Sequence, residues 1–541
     1  MTNNLVPPSK ALGYSDIYLD FVSGREPSAH FYLSTSLSET AAQLDRKGYE
    51  RLRLSAILRA QNTAYQSSEA AFAAIDRLER PDSVCVFAGQ QAGLFGGPMY
   101  TIIKAIAIVK AARLYERQLG RPVIPVFWIA GDDHDFAEVN HFTVLDRAGE
   151  PATISYSANP PEEVSTADIR FSDSMELERC HADLRKALGD TDFTPEMYAL
   201  LEHAYTDRDT FCSAFGKLMA SLTKDMGLVL FCPGDAAVKQ LAVPFFKQIV
   251  MLQDHIHDLL VRTNHEIVES GYHIQVEKKD NSAHLFYNLD GRRPVLRDGD
   301  GFVVGEHRFS RTELLGAIDS HPERFSPDVI TRPVLQSYLF PTISQKGGPA
   351  EIAYLAQINP IFSVFDLPVP VQRARATVTV IESRFEKLMK DYDVTFEDVT
   401  GDIELVVNRV LQRSFPQDLE HSFEYLRNDV SRRFREFLQE SLEFDPNLQQ
   451  VGEQAHGKID YTLKSFEEKV FSSHKKKSKE TRDRIYRLWH ALYPNRGFQE
   501  RTLNVTYFLA RYGFHFIRVL HDHMDSEETA HQLMYLSEAE L

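Results

Sequence analysis

VCVFAGQQAGLFGGPMYTIIKAIAIVKAARLYERQLGRPVIPVFWIAGDDHDFAE, residues 84–138, contains three segments of different period in succession. Residues 84–88 are a short apolar run, 89–97 are glycine-rich, and 98–119 have helical spacing, with proline suited to a first helical position and Gly120 to the helix end. A second apolar run, 123–130, stops at Gly131-Asp132-Asp133-His134-Asp135. The order is strand, helix, strand. Both candidate strands are apolar almost without interruption, so they belong in a parallel sheet covered on both faces, where ligands sit beyond the carboxyl ends of the strands.

Both polar loops fall at that edge. In GQQAGLFGG, which includes Gly89, Gln90, Gln91 and Gly93, the glycines let the backbone approach a ligand and aim amides at an anion beside the helix N-terminus. The second loop offers three carboxylates and an imidazole. Alone, the glycines make a tight turn and the acids a solvated loop; together at one sheet edge they predict a site. The best-known phosphate loops do not fit. Leu94-Phe95 follows Gly93 where a P-loop needs Lys-Ser/Thr, and Gly89 and Gly93 are four apart, which breaks G-x-G-x-x-G and removes support for nicotinamide chemistry.

At 541 residues the chain has room for about three domains. Its 43% hydrophobic and 25% charged content is that of a globular protein. A formal charge of -17 argues against nucleic acid as a partner, because that affinity rests on clustered Lys and Arg. Four cysteines without C-x-x-C spacing read as reduced, buried thiols, and there is no apolar leader or spanning segment. A cytoplasmic protein with no membrane partner is expected. His255, His257, His265, His273 and His284 lack a ligand spacing, so no metal site is expected.

Residues 51–65 and 70–78 have helical spacing, 143–222 form an insertion with a polar loop at 155–166, and 227–232 is a third buried strand. A helix is expected over 236–263, then antiparallel strands at 273–276 and 302–304. Residues 332–354 return a strand-like run, a Gly347-Gly348 turn and a helix opening at Pro349-Ala350-Glu351. Beyond Thr377 apolar residues step by three and four through Phe423–Phe444 and again from Leu448, predicting a long antiparallel helical hairpin with the second helix running toward Leu492.

Gly89-Gln90-Gln91-Ala92-Gly93-Leu94, Gly97-Pro98, Tyr100-Thr101, Lys104, Phe127-Trp128 and Asp133-His134-Asp135 resemble the signature of the cysteine-adding BshC family of bacillithiol synthesis. HPERFSPDVITRPVLQ (321–336), FPTISQKGGPAEIAY (340–354) and ERTLNVTYFLARYGFHF (500–516) resemble later segments of that family in the same order. The chain departs from the family at Ala350, Leu355 and Ala374, although Arg375 is kept.

The resemblance implies an α/β fold with a Rossmann-like, nucleotidylyltransferase-type core, inserted connecting-peptide domains and a C-terminal α-helical coiled-coil domain that makes a homodimer. The division expected is core over 1–142, 223–263 and 321–376, insertions over 143–222 and 264–320, coiled coil over 377–494, and a return to the core over 495–541. The implied reaction is a ligation that joins the carboxyl of L-cysteine to the amine of glucosaminyl-malate, with ATP or ADP as the nucleotide and Mg as its companion ion. His134 is then the general base, since its ordinary pKa is closest to neutral, with Asp133 or Asp135 orienting it or holding the substrate ammonium. Lys104 and Arg332 are expected to pair with the malyl group. Gly89, Gln90, Gln91, Gly93, Tyr100, Thr101, Asp132, Gln336, Gly348, Pro349, Glu351, Tyr354 and Arg375 complete the expected binding set. Two other readings are a nucleotidyltransferase with another small substrate and a non-catalytic dimeric scaffold.

Overall fold

A computed structural model describes residues 4–33, 36–133, 135–157, 164–289 and 291–536. His134 lies outside the described residues, as do 158–163 of the polar loop. The chain divides into two compact units, Met1–Ile381 with Gly497–Leu541, and Glu382–Arg496.

The first unit is built on five parallel strands, β1 (Val84–Gln90), β2 (Val123–Ile129), β3 (Val229–Phe231), β4 (Thr342–Gly347) and β5 (Val371–Ala374), in the order β5-β4-β1-β2-β3. All seven residues of β2 and the first five of β1 are buried, which is why neither strand alternates in sequence. The connecting helix, Tyr100–Leu119, buries twelve residues on several faces and ends on Gly120 in the left-handed region (φ 64°). It starts two residues after Pro98, because Pro98 forms a β-bridge with Asn504 and the Met99 amide donates to Leu503 O at 2.7 Å.

Helix Arg51–Ala64 closes the β3 edge with side chains. Asn62 donates to Leu230 O (2.9 Å) and accepts from Leu230 N (3.2 Å), while Gln61 does the same for Cys232 O (3.0 Å) and Cys232 N (2.9 Å). An edge strand left with free amides and carbonyls is a template for foreign pairing, and the two amide side chains remove it. From β1 the chain lays down β2 and β3 on one side and then crosses to the other for β4 and β5. The order therefore reverses between β1 and β4, at the point where open α/β sheets bind ligands.

Several expectations change. The helix expected over 236–263 is two, Ala236–Leu241 and Val243–Glu269, because Pro244 has no amide to continue the first and fits the opening turn of the second. Residues 273–276 are not a strand; the amides of Gln275 and Val276 donate instead to Gln357 Oε1 at 3.1 and 3.0 Å. The second insertion's sheet consists of Ser282–Asn288, Arg292–Asp298, Gly301–Val304, His307–Ser310 and Phe325–Pro327, all antiparallel. Arg332–Leu339 is a helix ahead of β4. Thr377–Glu382, where long helices were expected to begin, is a β-branched strand in a sheet with His531–Leu536 and Asn4–Val6.

The second unit is helical. Gln417–Phe444 and Gln449–Lys477 form the hairpin, broken at Pro446–Leu448, where Asp445 Oδ1 accepts from Asn447 N at 2.9 Å. The second long helix ends at Lys477 and a new one runs over Lys479–Leu492.

Candidate functional site

A cavity of about 690 Å³, within the usual range for a small-molecule site, lies at the carboxyl ends of the central strands around the reversal of strand order. β1 contributes Gly89, Gln90 and the following Gln91; β2 and its loop contribute Trp128, Ala130, Asp132 and Asp133. The helix after β4 contributes Gly348 to Glu351 and Tyr354, and Arg375 follows β5. Tyr100, Lys104, Arg332 and Glu138 complete the core's share. The second insertion and the loop after it add Lys278, Phe286, Arg292 and Pro327 to Val329, and Arg501 comes from the C-terminal segment.

Glycine is required where β1 and β2 meet, since a Cβ on Gly89 would lie 2.8 Å from Trp128 O. Beyond it the glycine loop is a buried turn rather than an anion cradle. Phe95, Gly96 and Gly97 all take positive φ (48°, 90° and 65°). The amides of Gly93, Gly96 and Gly97 donate to Gln91 O, Gly93 O and Leu94 O, and Asn504 Nδ2 donates to Phe95 O and Gly97 O. Gly93 packs on Gly97, Thr101 is 2% exposed, and Gln336 is buried beside Gln345 (3.5 Å); none of the three lines the cavity.

Lys104 is committed to the protein. Its Nζ donates to Gly89 O (2.9 Å), Gln90 Oε1 (3.2 Å) and Glu351 Oε2 (2.9 Å), three acceptors for three protons, so the pairing with a substrate carboxylate expected from sequence is not open to it. Burial alone would raise the Glu351 pKa, but the Lys104 ammonium and the Gly348 amide (2.8 Å) hold it below the usual carboxylate range. This ties the start of helix Pro349–Ile358 to the end of β1. The amine of Lys346, on β4, points elsewhere, to Ser526 O (2.6 Å) and Glu527 Oε1 (2.8 Å).

On the cationic side, Arg332 donates to Tyr354 Oη (3.2 Å) and sits over the Trp128 ring at 5.7 Å. Arg375 lies over Tyr100 at 5.2 Å. On the acidic side, Asp132 accepts from the buried Lys239 Nζ (2.7 Å) and Asp133 from Gln91 Nε2 (2.7 Å). The loop cannot sit lower, because a Cβ on Gly131 would lie 2.6 Å from Cys212 Sγ. Asp135 does not line the cavity. It is exposed and caps the short helix Phe136–Val139 through Glu138 N at 3.3 Å.

Sequence reasoning missed the insertion's wall. Asp328 is buried between Lys278 Nζ (3.0 Å) and His284 Nδ1 (3.2 Å); burial would raise its pKa, but those two groups hold it well below the carboxylate range. Arg292 lies over the Phe286 ring at 3.7 Å and donates from Nε to Ser326 Oγ at 3.1 Å. Trp128 and Arg501 stood inside quoted motifs, whereas Lys278 and Arg292 had no local signal. Among the described residues, no three His, Cys, Asp or Glu side chains are grouped to hold a metal ion.

A cavity at the reversal point of a parallel sheet, lined by charged groups of both signs, is the usual small-molecule site of a Rossmann-like fold. The N-terminal Rossmann-like domain model of bacillithiol biosynthesis BshC matches residues 1–376, and the family's C-terminal coiled-coil domain model matches 378–536. The chain belongs to the BshC family. It is 30% identical over 528 residues to a protein of Koribacter versatilis (strain Ellin345) named "Putative cysteine ligase BshC", covering 96% of this chain and 98% of that protein. A Bacillus cereus (strain AH187) protein of the same name is 30% identical over 512 residues, covering 93% and 94%. No described helix is long and apolar enough to cross a membrane.

Proposed function

We propose that this chain is a cytoplasmic cysteine ligase of bacillithiol synthesis that joins the carboxyl of L-cysteine to the amine of glucosaminyl-malate, using ATP with Mg. The observation that carries the reading is the two-signed cavity at the strand reversal, lined by Asp133 of the acid loop and by Arg332 and Arg375. Cysteine brings an ammonium, while ATP and the malyl group bring anions, so both signs are needed in one enclosure. Membership of a bacillithiol-biosynthesis family and the relatives' name, cysteine ligase, support the cysteine half of that reaction.

In the reaction, a carboxylate oxygen of cysteine attacks a phosphate of ATP, making a mixed anhydride and releasing pyrophosphate or ADP. The glucosamine amine then attacks the carbonyl, the amide forms, and AMP or phosphate leaves. The amine must lose a proton, and the base sits on the 132–135 loop. Asp133, held by Gln91, is poised there to receive that proton directly or to orient His134 beside it. Asp132 is neutralised by Lys239 and serves to fix the loop.

The helical unit is proposed to make a homodimer, supported by apolar side chains left bare on its long helices, such as Phe444 at 91% and Val451 at 63% exposure. The deciding experiment incubates the protein with cysteine, glucosaminyl-malate, ATP and Mg and reads products by mass spectrometry. Cysteinyl-glucosaminyl-malate with stoichiometric AMP or ADP is the expected result; nucleotide hydrolysis without amide would overturn the reading.

A further inference from the structure

Glu500 lies in the short helix Gln499–Thr502, is fully buried, and does two things. Its Oε2 accepts from Val378 N at 2.8 Å, and its Oε1 stands 2.7 Å from Arg375 Nη1, an ion pair rather than a well-aligned hydrogen bond. The neighbouring Gln499 docks the same segment on the same strand with a neutral amide, accepting from Val380 N (2.8 Å) and donating to Val380 O (2.9 Å). Docking therefore needs no charge. A buried carboxylate is costly unless it is paired, so the charge at position 500 exists for Arg375.

Arg375 is itself 4% exposed, lines the cavity, and is confined on several sides. Nη1 donates to Ala376 O (3.0 Å), the guanidinium lies over Tyr100, and its Nε would be 3.3 Å from a Cβ on Gly348, which has none. Nε and Nη2 make no hydrogen bond with the described residues, and a guanidinium offers five donors in a fixed fork. One competitor stands close. Glu351 Oε2 lies 3.6 Å from that same point on Gly348, so an Arg375 released from Glu500 has a carboxylate to fall onto.

We propose that Glu500 is a positioning residue that holds Arg375 off Glu351 and presents its free donors to an anionic group of the substrates. The inference rests on the ligase reading for what the anion is: a malyl carboxylate or a phosphate of ATP. The test compares Glu500→Gln, Arg375→Gln and the double variant, with KM measured separately for ATP and glucosaminyl-malate, kcat, and melting temperature. Glu500→Gln should raise one of the two KM values about tenfold with kcat within about threefold, and should add nothing in the Arg375→Gln background. The KM that moves names the anion. An unchanged or lowered KM, or additive effects in the double variant, overturns the proposal while leaving the ligase reading intact. Should the wild type form no amide, the ligase reading fails, and calorimetric binding of malate and of ATP decides the positioning role. Equal dissociation constants for wild type and Glu500→Gln, or no binding to the wild type, overturn it. If Glu500→Gln does not fold, Glu500→Asp keeps the charge but withdraws it by a methylene, and an unchanged KM there overturns the proposal as well.

Discussion

β1 and β2 keep Val86, Phe87, Val126 and Phe127 at 0% exposure, whereas the long helices of the second unit leave Phe437 at 65%, Phe444 at 91% and Tyr461 at 74%. The sheet is covered on its two faces by its own chain, whereas the two long helices pack chiefly on each other and leave part of their apolar residues bare. The hairpin does make internal contacts, such as Phe423 with Phe466 at 5.8 Å between ring centroids. Apolar side chains thus have opposite surroundings in the two regions. A substitution in the buried strands meets fixed neighbours; one at the bare positions of the hairpin meets solvent.

The sharpest way to break this contrast is at the acid loop. Asp133→Asn and His134→Ala should each lower turnover by about two to four orders of magnitude, the usual worth of a positioned proton acceptor, with melting nearly unchanged. If both melt lower yet turn over at the wild-type rate, the loop is structural like the rest of the core. Next in size is Gly89→Ala. Its Cβ would meet backbone, Trp128 O at 2.8 Å, so a loss of about 1–3 kcal/mol in denaturant unfolding is expected, as for overpacking elsewhere.

A pH titration sharpens the same point. Burial, with Arg375 nearby, lowers the His531 pKa from 6.5 to about 3. The unfolded chain therefore binds a proton that the folded one refuses between these values, so stability is full above about 6.5 and falls on acidification toward 3. The slope, on the order of 1 kcal/mol per pH unit, should flatten in His531→Gln. Smallest of all should be Phe437→Ser together with Phe444→Ser. In dilute protein the expected change in stability is about 0.5 kcal/mol or less, but light scattering should show the dimer weakened or gone. An unchanged mass would leave those side chains without a partner.

The core strands were legible because burial on both faces leaves uninterrupted apolar runs, and 84–88, 123–130 and 227–232 each fall on a strand of the sheet. The two loops that meet the cavity could be placed by the same logic. Chemistry inside them could not, because residue type says nothing of what a side chain has already been given to. Lys104 looks like a free cation in sequence and is saturated by three oxygens in the fold. Arg292 and Lys278 went unseen for the reverse reason: an antiparallel insertion carries them to the cavity from far along the chain, and no local period announces such a contact. Asp135 illustrates how an acid beside a site can serve only the next turn of helix.

Asn504 has a bearing on the life of the chain before it is complete. The left-handed turn at Phe95, Gly96 and Gly97 is held by an amide that lies 409 positions later than Phe95, so it cannot be fastened until Asn504 has been made. All five strands of the parallel sheet are present by residue 374 and are free to assemble early, as domains do when they fold in the order they emerge. The loop that starts helix Tyr100–Leu119 waits for the segment that carries Asn504. A chain that stops short of Asn504 therefore lacks the amide that holds the turn at the start of helix Tyr100–Leu119.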